Sequence, residues 1–212
     1  MGTPARVRGG LIDKRNAILA AALEVFARDG YTRSSIESIS TAAGVSTRTI
    51  YNHFGDKAEL FRTTIHDSTT RVAEARLDII DRHLGQLSDG ADLEPVFVAF
   101  VTEWSTTVTE FSDHFALMLQ LPAEAAHLPR SAVEDWLRTG PVRVLRVLAY
   151  HFQLLAARGL LQIDDSDAAA QHFSLLASAV VPPFYCDAAP SEEDTAKAVV
   201  ASVRAFLYGY RR

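Results

Sequence analysis

Residues 35–61 read SIESISTAAGVSTRTIYNHFGDKAELF, two short apolar-faced segments joined at a single glycine. Ser34 or Ser35 offers a side-chain oxygen to cap a helix that carries Ile36, Ile39, Ala42 and Ala43. Gly44 closes it, a position where the chain turns and a residue tolerant of positive φ is needed. Ser46 caps the next segment, in which Ile50 and Phe54 stand four apart and share one face. After Gly55-Asp56 a longer period begins at Lys57. Leu60, Phe61, Ile65, Val72, Leu77 and Ile80 predict a helix running into the eighties.

Upstream, from Asp13 to Asp29, Ile18, Leu19, Ala22, Leu23, Val25 and Phe26 form one broad apolar face, and Gly30 ends it. Three short helices with a tight glycine turn between the last two make a helix-turn-helix motif. Its second helix must pack across the third, and Ile39, Ala43, Val45, Ile50 and Phe54 supply the anchors. The third must then present polar side chains outward. Thr47, Arg48, Thr49, Tyr51, Asn52 and His53 do so.

Downstream, the turn SDGAD at 88–92 precedes a helix with Pro95 in its first turn and Phe97, Phe100, Val101, Trp104 and Val108 along it. Further helices are expected over 112–120, 130–158, 166–181 and 191–208. Breaks fall at Pro122, Pro129, Gly159 and the Pro182-Pro183 to Pro190 segment, and Gly140-Pro141 kinks or divides the third helix. Strand-like alternation is nearly absent. The fold class is all-α, a three-helix helix-turn-helix head followed by a larger helical-bundle body.

The composition, 48% hydrophobic and 22% charged over 212 residues, is that of a globular chain with a sizeable core. The formal net charge of −5 at first argues against a nucleic-acid partner. Its distribution reverses that. Residues 1–62 hold nine Lys/Arg against six Asp/Glu, and the remainder holds twelve against twenty. A basic head on an acidic body suits a protein that brings one end to phosphates. The single Cys186 excludes a disulfide framework and a cysteine-rich zinc site. MGTPARVRGG lacks the apolar run of a signal peptide, and Phe173–Phe184 is too short to span a bilayer. A cytoplasmic location without membrane attachment is expected.

The spaced run Ala43-Gly44-Val45-Ser46, Thr49-Ile50-Tyr51, His53-Phe54 and Lys57 closely resembles the signature of the TetR family of bacterial regulators, and the likeness extends back to about Lys14. The resemblance implies a recognition helix over Ser46–Phe54. Thr47 and Arg48 then lie at its N-terminal end, where side chains meet base edges in the major groove. Arg48 is the favoured base-reading residue, since guanidinium pairs bidentately with guanine. Its alternative is a phosphate contact. Thr49, Tyr51 and Lys57 are implied phosphate contacts, Lys57 beside the amides opening the fourth helix. Ser34 and Ser35 act likewise at the second helix, and Asn52 and His53 complete the set. Ser40 stands where family members commonly carry alanine, with a hydroxyl able to bond back to the Ile36 carbonyl.

The segment 140–173 and the closing VVASVRAFLYGY resemble the AefR-like branch. The resemblance implies a body that binds a small effector and dimerises through its last two long helices, about Asp167–Val181 and Glu192–Leu207. Ala177, Ala179, Val180, Val199, Val203, Phe206 and Leu207 fit a dimer seam and equally a monomeric core. Aromatic residues mixed with isolated polar groups suggest a ligand pocket. Its candidates are Phe97, Phe100, Trp104, Phe111, His114, Phe115, Met118, Trp136, Tyr150, His151 and Phe173, any of which can be plain core. Glu110 and His114 share a helical face, but without a further clustered ligand no metal site is expected.

The expected organisation is a flexible basic arm at 1–12, a DNA-binding domain at 13–56, and an effector-binding and dimerisation domain at 57–212. The expected function is a homodimeric transcriptional regulator, a repressor released from a palindromic double-stranded DNA operator by a small hydrophobic or aromatic effector. The alternative is an effector-independent helical DNA-binding protein. Enzymatic motifs are absent: no G-x-S-x-G elbow, H-E-x-x-H, phosphate loop or G-x-G-x-x-G. No cofactor is expected.

Overall fold

The computed structural model describes residues 5–180 and 191–210, with side chains described from Lys14 onward. The expectations placed on residues 1–4 and on Val181, Cys186 and the 182–190 segment lie outside these residues. Among them every regular element is helical: α1 (Ala5–Arg33), α2 (Ile36–Ala42), α3 (Thr47–Phe54), α4 (Lys57–Ile80), α5 (Leu93–Glu110), α6 (Ser112–Glu124), α7 (Arg130–Thr139), α8 (Pro141–Ala157), α9 (Ser166–Ser178) and α10 (Glu192–Tyr210), with a π-helical turn at Asp81–Gly85.

The chain divides into two compact units. The first comprises Met1–Arg71 and Phe111–Thr139, and the second Val72–Glu110 and Gly140–Arg212. Helix α4 begins in one and ends in the other. This division concerns packing and interleaves with the boundaries at 12 and 56 expected for function.

In the first unit, Ile18, Ala22, Val25 and Phe26 of α1 pack with Ile39, Ile50, Leu60, Phe61 and Ile65 from α2 to α4 and with Leu117 and Leu121 of α6. Phe26 and Phe61 meet edge to face at 4.9 Å. The backbone of residues 5–12 is already helical, so α1 starts inside the segment read as an arm. Gly30 breaks the helical path, at φ 77° and ψ 170°, before a last turn to Arg33. Helix α6 continues through Pro122 rather than stopping there. A proline removes one amide donor and crowds the preceding turn. Here the helix needs only two more residues to reach Glu124, whose carboxylate is anchored on α1.

The second unit is built on rings. Phe97, Phe100 and Trp104 of α5 meet Phe152 of α8, Phe173 of α9 and Phe206 of α10, all at most 2% exposed. Phe100 stacks on Phe173 with centroids 5.0 Å apart, and Phe97 lies 5.7 Å from Phe206. Gly140-Pro141 divides the long expected helix into α7 and α8, with Pro141 in the first position of α8, where its missing amide costs nothing. Ala177, Val180, Val199, Val203, Phe206 and Leu207 are buried within this unit, so of the two readings left open for them the core is the one realised. Ala179 faces outward. The outward positions of the last two helices are instead Leu175, 70% exposed, and Tyr208, 78% exposed.

Candidate nucleic-acid interface

The geometry of α2 and α3 follows from three serines and one glycine. Ser35 and Ser38 form a reciprocal capping box: the Ser38 amide donates to Ser35 Oγ at 3.0 Å and the Ser35 amide to Ser38 Oγ at 3.2 Å. Gly44, at φ 64°, turns the chain so that the Val45 amide donates to the Ser40 carbonyl at 3.0 Å. Ser46 Oγ then accepts the Thr49 amide at 3.2 Å and pairs with Thr49 Oγ1 at 2.9 Å. Ser40 is buried as the close crossing requires, but its hydroxyl donates to the Glu37 carbonyl at 2.9 Å rather than to Ile36.

Ile50 and Phe54 turn inward, 1% and 5% exposed. Their burial fixes the phase of α3 and leaves Arg48, Tyr51 and Asn52 exposed, with Thr47, Thr49 and His53 partly so. Positions 47, 48, 51 and 52 are one and four residues apart and share one helical face. This face carries a guanidinium, a phenol, a carboxamide and a hydroxyl, the donor set for phosphate oxygens and base edges.

Two expected contacts are placed differently. Ser34 is buried, and its hydroxyl donates to the Tyr31 carbonyl at 2.8 Å, closing the turn before α2. The Lys57 ammonium donates to the Ser34 carbonyl at 2.6 Å and lies 4.6 Å from the centre of the Tyr31 ring. Partial burial lowers its pKa, while the Glu124 charge opposes the shift. Lys57 therefore ties the start of α4 to the entrance of α2. The lysine of the signature motif read from sequence as a phosphate contact has a structural bond within the head.

Arg15 was not singled out from the sequence, where its only signal was charge. Its guanidinium lies 5.5 Å from the Phe54 ring centre, so α1 adds an exposed cation next to the third helix. The contacts that hold α1 in place were likewise illegible. Gln120 donates to the Ala27 carbonyl, and Glu124 accepts the Tyr31 amide, both across 93 residues.

The residues proposed from sequence for a ligand pocket fall into two groups. Phe97, Phe100, Trp104 and Phe173 come together in the second unit as a closely packed ring cluster. Tyr150, in the same unit, is 57% exposed, and neighbouring His151 is half-buried. Phe111, His114, Phe115, Met118 and Trp136 belong to the first unit. There buried His114 faces Ser68 Oγ through Nδ1 at 3.1 Å and Phe115 edge-on at 5.2 Å, while Met118 and Trp136 pack on the unit's core. Among the described residues no group of three or more His, Cys, Asp or Glu is placed to hold a metal ion, and no helix is long and apolar enough to cross a membrane.

The chain is similar to known regulators along most of its length. Residues 18–64 match the model of bacterial regulatory proteins of the tetR family, and residues 100–212 match the C-terminal domain of AefR-like transcriptional repressors. The transcriptional repressor NicS of Pseudomonas putida is 34% identical over 99 residues, 46% of this chain and 44% of that protein. The repressor AcnR of Corynebacterium efficiens is 27% identical over 144 residues, 64% of this chain and 76% of that protein. Among solved structures, a TetR-family regulator from Mesorhizobium loti superposes with a TM-score of 0.79 at 26% identity, covering 95% of this chain and 98% of that one. The flavonoid-responsive regulator FrrA shares the fold, with a TM-score of 0.63 at 24% identity over 94% of this chain and 97% of its own. A capped recognition helix with a polar outer face and family matches over both halves lead to one conclusion: the chain belongs to the TetR family of bacterial DNA-binding transcriptional regulators, and is not an enzyme.

Proposed function

We propose that the protein is a homodimeric repressor that binds a palindromic operator and leaves it when a small hydrophobic or aromatic effector binds the body. The observation that carries the DNA-binding part is the outward face of α3. Arg48, Tyr51 and Asn52 are exposed on a helix whose phase is fixed by buried Ile50 and Phe54. On this reading Arg48 and Thr47 read bases, and Ser46, Thr49, Tyr51, Asn52 and His53 contact phosphates or flank those contacts. Ser35 holds α2, and Ser34 and Lys57 position the motif from within. Residues 13–56 do the reading, and 57–212 supply effector binding and dimerisation.

Dimerisation is supported by the outward faces of α9 and α10. A groove of about 380 Å³ there is lined by His172, Leu175, Leu176, Ala205, Phe206 and Tyr210. Apolar exposure on the scale of Leu175 and Tyr208 is costly in water and is relieved against a second copy. Two heads so joined must sit roughly 34–36 Å apart to reach successive major grooves. An effector that favours another spacing shifts the population away from the bound state. Such a protein acts on DNA in the bacterial cytoplasm.

The effector-independent reading is favoured by one observation, the tight ring packing of Phe97, Phe100, Phe152, Phe173 and Phe206. The deciding experiment is a gel shift on the DNA upstream of the protein's own gene, repeated with small molecules extracted from the purified protein. Specific binding weakened by Arg48→Ala and released by the extract supports the proposal. Binding indifferent to Arg48→Ala overturns the operator reading, and binding that no extract or candidate compound relieves favours the effector-independent one.

A further inference from the structure

A groove of about 200 Å³ lies between α1 and α4, wholly inside the first unit. Leu19, Ala20 and Leu23 line it from α1, and Asp67, Ser68 and Arg71 line it from α4. The two sets have the same spacing, so each is one face of its helix. The backbones of α1 and α4 stay apart, and the short side chains of Ala20 and Ser68 stand where larger ones would close the gap.

The walls and the mouth differ in chemistry. Leu19 and Leu23 are 4% and 7% exposed and give an apolar surface. Ser68 is buried, and its hydroxyl is already engaged by the Ile65 carbonyl at 3.2 Å and by His114 Nδ1 at 3.1 Å. The mouth carries the Asp67 carboxylate and the Arg71 guanidinium, both about half exposed and 3.7 Å apart. Other pairs at the same i,i+4 spacing close further: Arg130 reaches Glu134 at 2.9 Å, and Lys197 reaches Glu193 at 2.7 Å. Asp67 and Arg71 are therefore a loose pair beside a groove, with hydrogen-bonding capacity left on each.

Such a groove selects its occupant by size and by charge. Pockets for drug-sized ligands hold roughly 300–1,000 Å³, so a molecule that fits here is compact. An anion alone would meet Arg71 but be repelled by Asp67, and a cation alone would meet the reverse. A molecule with an ammonium and a carboxylate on one carbon gives each side chain a partner of opposite charge. Opening an exposed ion pair to admit it costs little. We propose that the groove binds a free α-amino acid with an aliphatic side chain. Its ammonium donates to Asp67, its carboxylate accepts from Arg71, and its side chain lies on Leu19, Ala20 and Leu23. The bound molecule ties α1 to α4 and stabilises the DNA-binding unit by mass action. This site holds whether or not an effector acts on the body.

The test is calorimetric titration of the full-length protein with L-valine, L-leucine, L-isoleucine and L-methionine. The expected result is saturable binding of at least one of them, with a rise in the thermal midpoint. Three relatives of leucine then separate the parts of the site: the methyl ester keeps only the ammonium, 4-methylpentanoate only the carboxylate, and glycine has no apolar body. Each should bind roughly tenfold or more weakly than leucine itself. These comparisons need only the wild-type protein. Ala20→Leu, a good helix former at an exposed position, fills the groove and should abolish binding. Asp67→Asn should reduce the advantage of leucine over 4-methylpentanoate, and Arg71→Gln its advantage over the methyl ester. Failure of all four amino acids to bind overturns the proposal. So does equal binding of leucine and its ester or its deaminated acid, or binding that a folded Ala20→Leu variant leaves unchanged.

Discussion

The carboxylate of Glu124, at the end of α6, accepts the backbone N–H of Tyr31 at 2.7 Å, and its other oxygen accepts that of Thr32 at 3.1 Å. Gly30, at φ 77°, turns the chain so that these successive amides face one carboxylate. The entrance to the helix-turn-helix is therefore set by a residue 93 positions away. Glu124→Ala is expected to destabilise the protein by about 1–2 kcal/mol, because the bonds are charge-assisted but partly solvated. Urea unfolding of wild type and variant measures this. An unchanged midpoint would show that water replaces the carboxylate without loss.

Gly30→Ala acts on the same junction by another route. An added Cβ would come within 2.7 Å of Gln120 Oε1 and 2.9 Å of Glu124 Oε1, at a positive φ that disfavours any side chain. The expected cost is about 1–3 kcal/mol. Combined with Glu124→Ala the two losses should be less than additive, because the second variant removes part of what the first one strains.

On DNA, Arg48→Ala should cost about 1–3 kcal/mol on the operator and relax preference at one base position. Arg15→Ala should weaken operator and random DNA alike and lower the salt slope by about one. The measurement is a pair of salt titrations by fluorescence anisotropy. A loss of base preference in Arg15→Ala would show that this cation reads bases rather than phosphate.

These predictions divide as the legibility of the sequence does. The caps at Ser35 and Ser46, the turn at Gly44 and the inward Ile50 and Phe54 are local: each follows from residues within four positions. The outer face of α3 could be read because burial on one side of a short helix determines the other. Lys57 resembled a phosphate ligand in the motif, but its ammonium bonds to a carbonyl 23 residues upstream, which no local pattern encodes. The last two helices show the same limit. Their apolar positions satisfied seam and core equally, and only the packing of α5, α8, α9 and α10 put Val203 and Phe206 inside and Leu175 and Tyr208 outside. The residues of the aromatic pocket set fall in different units for a related reason. Residues near in composition were divided between two packed units.

That inside–outside division gives a test of the dimer. Leu175→Arg combined with Tyr208→Arg should yield a folded monomer in sedimentation with much weakened operator binding, since neither side chain is in the core. Val203→Asp should instead unfold the unit, because an unpaired buried carboxylate costs several kcal/mol. A double variant that remains dimeric would move the interface off this face.

The pH dependence of the second unit follows from His151. Burial lowers its pKa, and the nearby Asp81 charge only partly offsets this. The folded state thus disfavours the proton relative to the unfolded chain. The contribution to stability is complete above the ordinary histidine value of about 6.5 and is lost as pH falls through that value toward the lower folded one. The Glu103 carboxyl is also lowered, first by its bond to His83 and then by Arg82, but its contribution is lost only when pH falls into the carboxylate range. The two windows are separate. Stability measured from pH 7 to pH 5 should therefore decline with a slope that His151→Gln reduces, by less than about 1 kcal/mol in total for a half-buried ring. Glu103→Gln should flatten the curve below about pH 4.5, where the carboxylate contribution is lost. If His151→Gln and wild type lose stability in parallel between pH 7 and pH 5, His151 takes up its proton in the folded state as readily as in the unfolded chain, and the burial argument fails.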